Sequence, residues 1–273
     1  MELFSSWTGS DFLLFYSVIL VLAGVAAWWM PSLLREPGRR ARLDDLESAA
    51  LLTGGPSRLT DAALTELYVH DALADGGKGK VLVADRNVPV SPAAKALQAA
   101  GGPLSLANAK QALRVHSDRV TAKLQRAGLL MRDAEFTQLR WLSVTPFAAA
   151  LLIGLYRQRA GHAEGEPTGF LVALMILTLI LAAIRFFTID PRTRAGIEAV
   201  RELRARHDRY ARAPLADEAA LAVALFGTTV LIGTPWEPVH AMRKSEGDGG
   251  GGGDGGGDGG SGCGGGGCGG CGG

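Results

Sequence analysis

WLSVTPFAAALLIGLY (141–156), RQRAGHAEGEPT (157–168) and GFLVALMILTLILAAIRFF (169–187) read in order as an apolar run, a short polar loop and a second apolar run. At 1.5 Å per residue the second run is long enough to cross a hydrocarbon core of about 30 Å, and the first is close to the lower limit. The two form a membrane hairpin, and the rest of the chain is arranged around it.

Upstream, residues 12–30 are a further nineteen without a charge, followed by Pro31 and then by Arg35, Arg39, Arg40 and Arg42. The N-terminus carries Glu2 and Asp11 and no basic residue. That favours a retained anchor over a cleaved signal peptide, and Trp28-Trp29 falls where an interfacial aromatic belt is expected. Basic residues collect on the cytoplasmic side of spans. Arg35 to Arg42 lie on one side of the first span, and Arg192, Arg194, Arg201, Arg204, Arg206, Arg209 and Arg212 follow the third, whereas the hairpin loop has only Arg157 and Arg159. The expected topology has the N-terminus outside, 35–138 inside, the hairpin loop outside and 190 onward inside. Arg185, one turn from the end of the third span, is expected to snorkel to the headgroups as an anchor.

The chain has 273 residues, 47% of them hydrophobic, and a net charge of +1. It is too apolar in blocks, and too glycine-rich at one end, for a single soluble domain. No global field marks it for nucleic acid or anionic surfaces. The three cysteines all fall within the last eleven residues, so no disulfide framework holds the folded part together.

Residues 35–138 show helical periodicity broken by glycines. Leu43, Leu46, Ala50 and Leu51 define one helix face before Gly54-Gly55-Pro56. Thr60 or Asp61 is placed to cap a second helix carrying Leu64, Leu67, Tyr68 and Leu73, ended by Gly76-Gly77. Residues 78–85 read as a strand, and 92–100 as a helix before a second GGP at 101–103. Ser117 is expected to cap a helix with Val120, Leu124 and Ala127 on one face and Gly128 at its end. The repeated order of helix, break, helix, glycine and strand points to a loose internal duplication.

SDRVTAKLQRAGLLMRD (117–133) and TDAALTELYVHDALADGGKGKVLV (60–83) each resemble the last helix and wing of winged-helix domains. In DNA-binding members that helix enters the major groove, which would give Arg119, Lys123 and Arg126 a phosphate or base role. Solubility and membrane topology alone also produce a basic helix face, and winged-helix folds serve equally as protein-interaction modules.

After the third span, 193–213 read as a charged juxtamembrane helix and 219–233 as a short apolar run, better suited to a core or interfacial helix than to a fourth span. Residues 247–273 consist of twenty glycines, three aspartates, one serine and three cysteines, and no burial can fold them. Cys263, Cys268 and Cys271 supply three thiolates, one short of a tetrahedral zinc site. They suit a soft metal ion, reversible disulfides, lipidation or covalent attachment to a partner, with none specified.

ESAALLTGGPSRLTDAALTEL (47–67), TIDPRTRAGIEAVRELR (188–204), ALAVALFG (220–227) and CGGGGCGGCGG (263–273) together resemble a family of bacterial membrane proteins without assigned function. Its members share a membrane-associated region followed by a low-complexity Gly/Cys C-terminus. The resemblance implies this architecture in a bacterial plasma membrane and supplies no catalytic residue.

The expected fold is mainly α, with three transmembrane helices, a cytoplasmic winged-helix-like domain and a disordered tail. The parts are an anchor (1–34), a cytoplasmic domain (35–138), a transmembrane hairpin (139–189), juxtamembrane helices (190–246) and the tail (247–273). The five histidines are scattered, and neither a P-loop nor a GxSxG is present, so no enzyme is expected. The leading expectation is an interaction or scaffold module that meets the bilayer and a protein partner at the cytoplasmic face. The alternatives are a membrane-tethered DNA-binding regulator and a metal-binding or redox-active tail protein.

Overall fold

The computed structural model describes residues 9–43, 45–75, 80–163 and 169–249. It is mainly helical, and three of its helices are long and apolar enough to cross a membrane. These are α1 (Gly9–Leu34), α5 (Asp133–Ala163) and α6 (Gly169–Phe187). They pack together as a bundle in which few side chains face inward and many large apolar ones lie exposed. Leu20, Ala23, Ala27, Phe147 and Ala182 form one contact layer, and Phe12, Tyr16 and Leu171 another. Tyr16 is wholly buried and shares a 3.1 Å hydrogen bond with Thr178 on α6. Gly154 on α5 makes room for the Tyr16 ring.

α1 does not stop at Pro31 but continues to Leu34, with the Arg35 amide donating to the Pro31 carbonyl at 3.0 Å. Proline lacks the amide that would bond the carbonyl four residues earlier, here that of Ala27. Arg185 fills that vacancy, donating from Nε to the Ala27 oxygen at 3.0 Å. The side chain therefore ties α6 to α1. α5 exceeds its apolar run at both ends and carries Pro146 within it.

The second body is built on α2 (Leu46–Val69), which is broken at Gly54 and Gly55. Asp45 caps its start by accepting from the Ser48 amide at 3.1 Å. Pro56 opens the second segment, so Thr60 and Asp61 lie inside it, buried, and Thr60 bonds back to the Pro56 carbonyl. The expected cap there is thus displaced by a proline four residues earlier. The helix ends at Val69, and Asp71 takes φ +53 to turn the chain into β1 (Leu73–Asp75), so Leu73 belongs to a strand. β2 (Val81–Val83) lies within the expected strand and pairs antiparallel with β1 and with β3 (Pro103–Leu104), giving the order β1-β2-β3.

Ser91 caps α3 (Pro92–Ala100), and Ser105, not Ser117, caps α4 (Leu106–Arg126). Ser117 is buried inside α4, because the chain is already helical from the residue after Ser105. Gly128, at φ +74, ends that helix as its position predicts. No ribbon follows it among the described residues. Leu130 forms a single antiparallel bridge with Arg192, and the chain enters α5.

After α6 come α7 (Arg194–Arg206), α8 (Ala219–Phe226) and α9 (Glu237–Gly249). α8 is only eight residues long and lies in the interior, with Ala219, Ala222, Val223, Ala224 and Leu225 fully buried. It is a core helix and far too short to span. One apolar core unites Leu59, Leu64, Leu67, Leu97, Leu113 and Leu124 with Val200, Val223, Leu231 and Met242. Residues before the hairpin and residues after it thus share the same interior.

Candidate functional site

Three connectors meet where the bundle joins the second body: 36–39 after α1, 128–131 before α5 and 190–196 after α6. Backbone bonds stitch them together. Arg39 N donates to Gly128 O at 3.2 Å, Thr193 N to Leu129 O at 3.1 Å, Met131 N to Pro191 O at 3.0 Å, Arg194 N to Glu36 O at 3.0 Å and Ala195 N to Pro37 O at 3.0 Å. Thr193 accepts from the Gly196 amide at 3.1 Å, capping α7, while its hydroxyl donates to the Gly128 carbonyl at 2.8 Å. The approach leaves no room for side chains. A Cβ on Gly38 would strike Gly128 O and Thr193, and one on Gly196 would strike Leu129 O.

The same end of the bundle is held by arginines. Arg35 donates to the Arg192 carbonyl at 2.7 Å, Arg194 to the Ser32 carbonyl at 2.5 Å, and Arg140 to the Phe186 carbonyl at 2.9 Å while lying over the Phe186 ring. The Ser32 and Phe186 carbonyls lie in the last turns of α1 and α6, where they have no partner in their own helix and carry the negative end of its dipole, so guanidinium donors satisfy them twice over.

A second constellation joins α2 to α8. At the break of α2, Thr53 donates to the Ala224 carbonyl, and Arg58 donates to the Val223 carbonyl at 3.3 Å. Arg204 on α7 takes the Leu225 carbonyl at 2.9 Å. The last carbonyls of a buried helix are thereby satisfied by side chains of the TGGPSR and TRAGIEAVRELR segments, and Gly227 at φ +99 lets Arg58 lie against the chain.

At the N-terminus of α3, Glu47 accepts from the Ala93 amide at 2.6 Å and pairs with His116 at 2.7 Å. Glu66 accepts from the Ser91 amide at 2.7 Å. A groove of about 560 Å³ lies between α2, α7 and α8, floored by Leu46, Ala49, Leu203 and Ala220 and rimmed by Asp45, Arg206 and His207. Burial pushes the Asp45 carboxyl up, but hydrogen bonds from Ser48 and Lys123 outweigh it and hold Asp45 below the usual carboxylate range.

Arg119, Lys123 and Arg126 lie exposed on α4, on the side opposite buried Val120 and Leu124. Lys123 pairs with Asp45 at 3.0 Å, and Arg126 bonds its own Ala122 carbonyl. Arg119 has no hydrogen bond or ion pair among the described residues. Cys263, Cys268 and Cys271 fall outside the described residues, within which no three His, Cys, Asp or Glu side chains group to hold a metal ion.

Nothing in the sequence pairs the connector residues Gly38, Gly128, Thr193 and Gly196, or the capping set Thr53, Arg58 and Arg204, with their partners. Their signal was the density of Gly, Pro, Thr and Arg in TGGPSR and IDPRTRAG, which spacing alone reads as punctuation. Against family models, curated proteins and solved structures, the chain finds no match.

Proposed function

We propose that this chain is a membrane-anchored interaction module, with its second body on the cytoplasmic face, the N-terminus outside and the Cys-bearing tail free to reach a partner. The observation that carries the reading is the stitched junction, which fixes the body against one end of the bundle. Its own polar groups are spent on structure: Glu47, Glu66, Thr53, Arg58 and Arg204 all serve as caps or ties. The exposed face of α4, with Arg114 and Arg119 beside Val115, is the surface on offer.

Cys263, Cys268 and Cys271 are the only cysteines in the chain, so a thiol-directed crosslinker applied in cells reports on the tail alone. The expected product is a discrete adduct with a second polypeptide, lost when all three are serine. Recovery of the uncrosslinked chain only, with the thiols reduced and reactive, contradicts the proposal.

A second reading, a tethered winged-helix regulator, draws on the hairpin β1-β2 that follows α2 and on exposed Arg119. It expects the full-length protein in detergent to bind duplex DNA with a steep salt dependence, weakened by Arg119→Ala. Absence of binding at low salt removes it.

A further inference from the structure

Four guanidiniums converge where α1 and α6 end. Arg192 pairs with Asp190 at 2.7 Å, and Arg35 lies 3.8 Å from the same carboxylate. Arg194 reaches the Ser32 carbonyl, and Arg185 is near enough to Arg35 for their like charges to interact. The side chains of Arg35 and Arg192 are only 12% and 21% exposed. Burial holds the Arg35 guanidinium below its ordinary value. Asp190 opposes that shift as the one carboxylate bearing on it, while Arg192 and Arg194 add to it. Glu36, next in the chain, is exposed. Half-buried charge of one sign without matching charge is costly, so the cluster is short of anions.

Its position says which anion is at hand. Trp28 and Trp29 at the end of α1, Trp141 in α5 and Phe187 at the end of α6 all lie exposed at this end of the bundle. Such aromatic residues mark the headgroup level of a bilayer. We infer that Arg35, Arg185, Arg192 and Arg194 form a site for the phosphate of an anionic phospholipid, which supplies the countercharge that Asp190 alone does not. The phosphate diester presents several acceptor oxygens to guanidinium donors, whereas a zwitterionic lipid brings its own cation to the same place. The inference rests on the reading that α1, α5 and α6 cross a bilayer, and it does not depend on which protein the tail meets.

Full-length protein reconstituted in vesicles, with tryptophan fluorescence quenched by brominated lipid, tests it. Brominated phosphatidylglycerol should compete more effectively than brominated phosphatidylcholine, by roughly fivefold for each arginine engaged. Arg35→Gln and Arg192→Gln should bring the preference towards unity, Arg192→Lys should retain most of it, and Arg39→Gln, at an exposed position outside the cluster, should leave it unchanged. Equal quenching by the two lipids in the wild-type protein overturns the proposal, whether or not the glutamine variants fold. So does an equal loss in Arg39→Gln, which would assign the preference to a diffuse field. If inorganic phosphate removes the preference where chloride at matched ionic strength does not, the site takes soluble phosphate and the lipid assignment fails. A lack of tail adducts in cells would leave these results as they stand.

Discussion

Gly196 sits with its Cα against the Leu129 carbonyl, where an added methyl group has no space, whereas Gly24 on α1 has nothing within 4 Å of the same position. Gly196→Ala should therefore destabilise the protein by about 1 to 3 kcal/mol, as overpacked sites do, and Gly24→Ala should be neutral or slightly stabilising. Thermal unfolding in one detergent compares the two directly. Thr53→Val keeps the shape of the side chain but strips the donor from the Ala224 carbonyl, and a loss of about 1 to 3 kcal/mol is expected for a buried acceptor left unsatisfied. Asp45 gives a test with a sign. Its carboxyl is held low in the folded state, so its contribution is present above the unfolded value of about 3.9 and lost as the pH falls through the folded value. Asp45→Asn should be less stable than wild type at pH 7, and the gap should close in acid titration below about pH 4.

At the level of elements, the long apolar helices were legible because one property, length without charge, decides them. Their ends were not, since Pro31 reads as a stop by local rules. It is tolerated because Arg185, 158 positions beyond Ala27, bonds the Ala27 carbonyl that the proline orphans. The same limit applied to Thr60, Asp61 and Ser117, each a good cap by type. All three are buried inside helices that Pro56 and Ser105 had already started. β1 is not legible in the sequence because three residues between an Asp71 turn and a glycine pair give no measurable alternation. Within the bundle, Tyr16→Phe removes the bond to Thr178 while keeping the ring. Hydrogen bonds between transmembrane helices average about 0.6 kcal/mol, so a small loss is expected, measurable as a lower unfolding midpoint in detergent. A shift of several kcal/mol would mean that the contact does more than join α1 to α6.

On the scale of the whole molecule, the hairpin is an insertion. Two apolar runs joined by a short loop return residue 190 to the end of the bundle that residue 138 left, and that much could be read from the sequence. That α8 would lie inside the core with α2 could not, because an eight-residue run of Ala, Leu, Val and Phe is equally consistent with an interfacial helix. What identifies the arrangement is the set of carbonyl caps from Thr53, Arg58 and Arg204, which are contacts between segments more than 150 residues apart in the first two cases. The connectors close the insertion tightly, with Met131 N bonded to Pro191 O at 3.0 Å. The second body should therefore survive removal of the hairpin but not removal of α7 and α8. The most direct measurement is to replace residues 133–189 with a short Gly/Ser linker, delete α1, and compare the product with residues 36–138 alone by thermal unfolding and amide exchange. The linked chain is predicted to unfold cooperatively with protected amides in α2 and α8, and the 36–138 fragment to show neither. A fragment that unfolds cooperatively by itself, or a linked chain whose α8 amides exchange freely, would contradict the shared core.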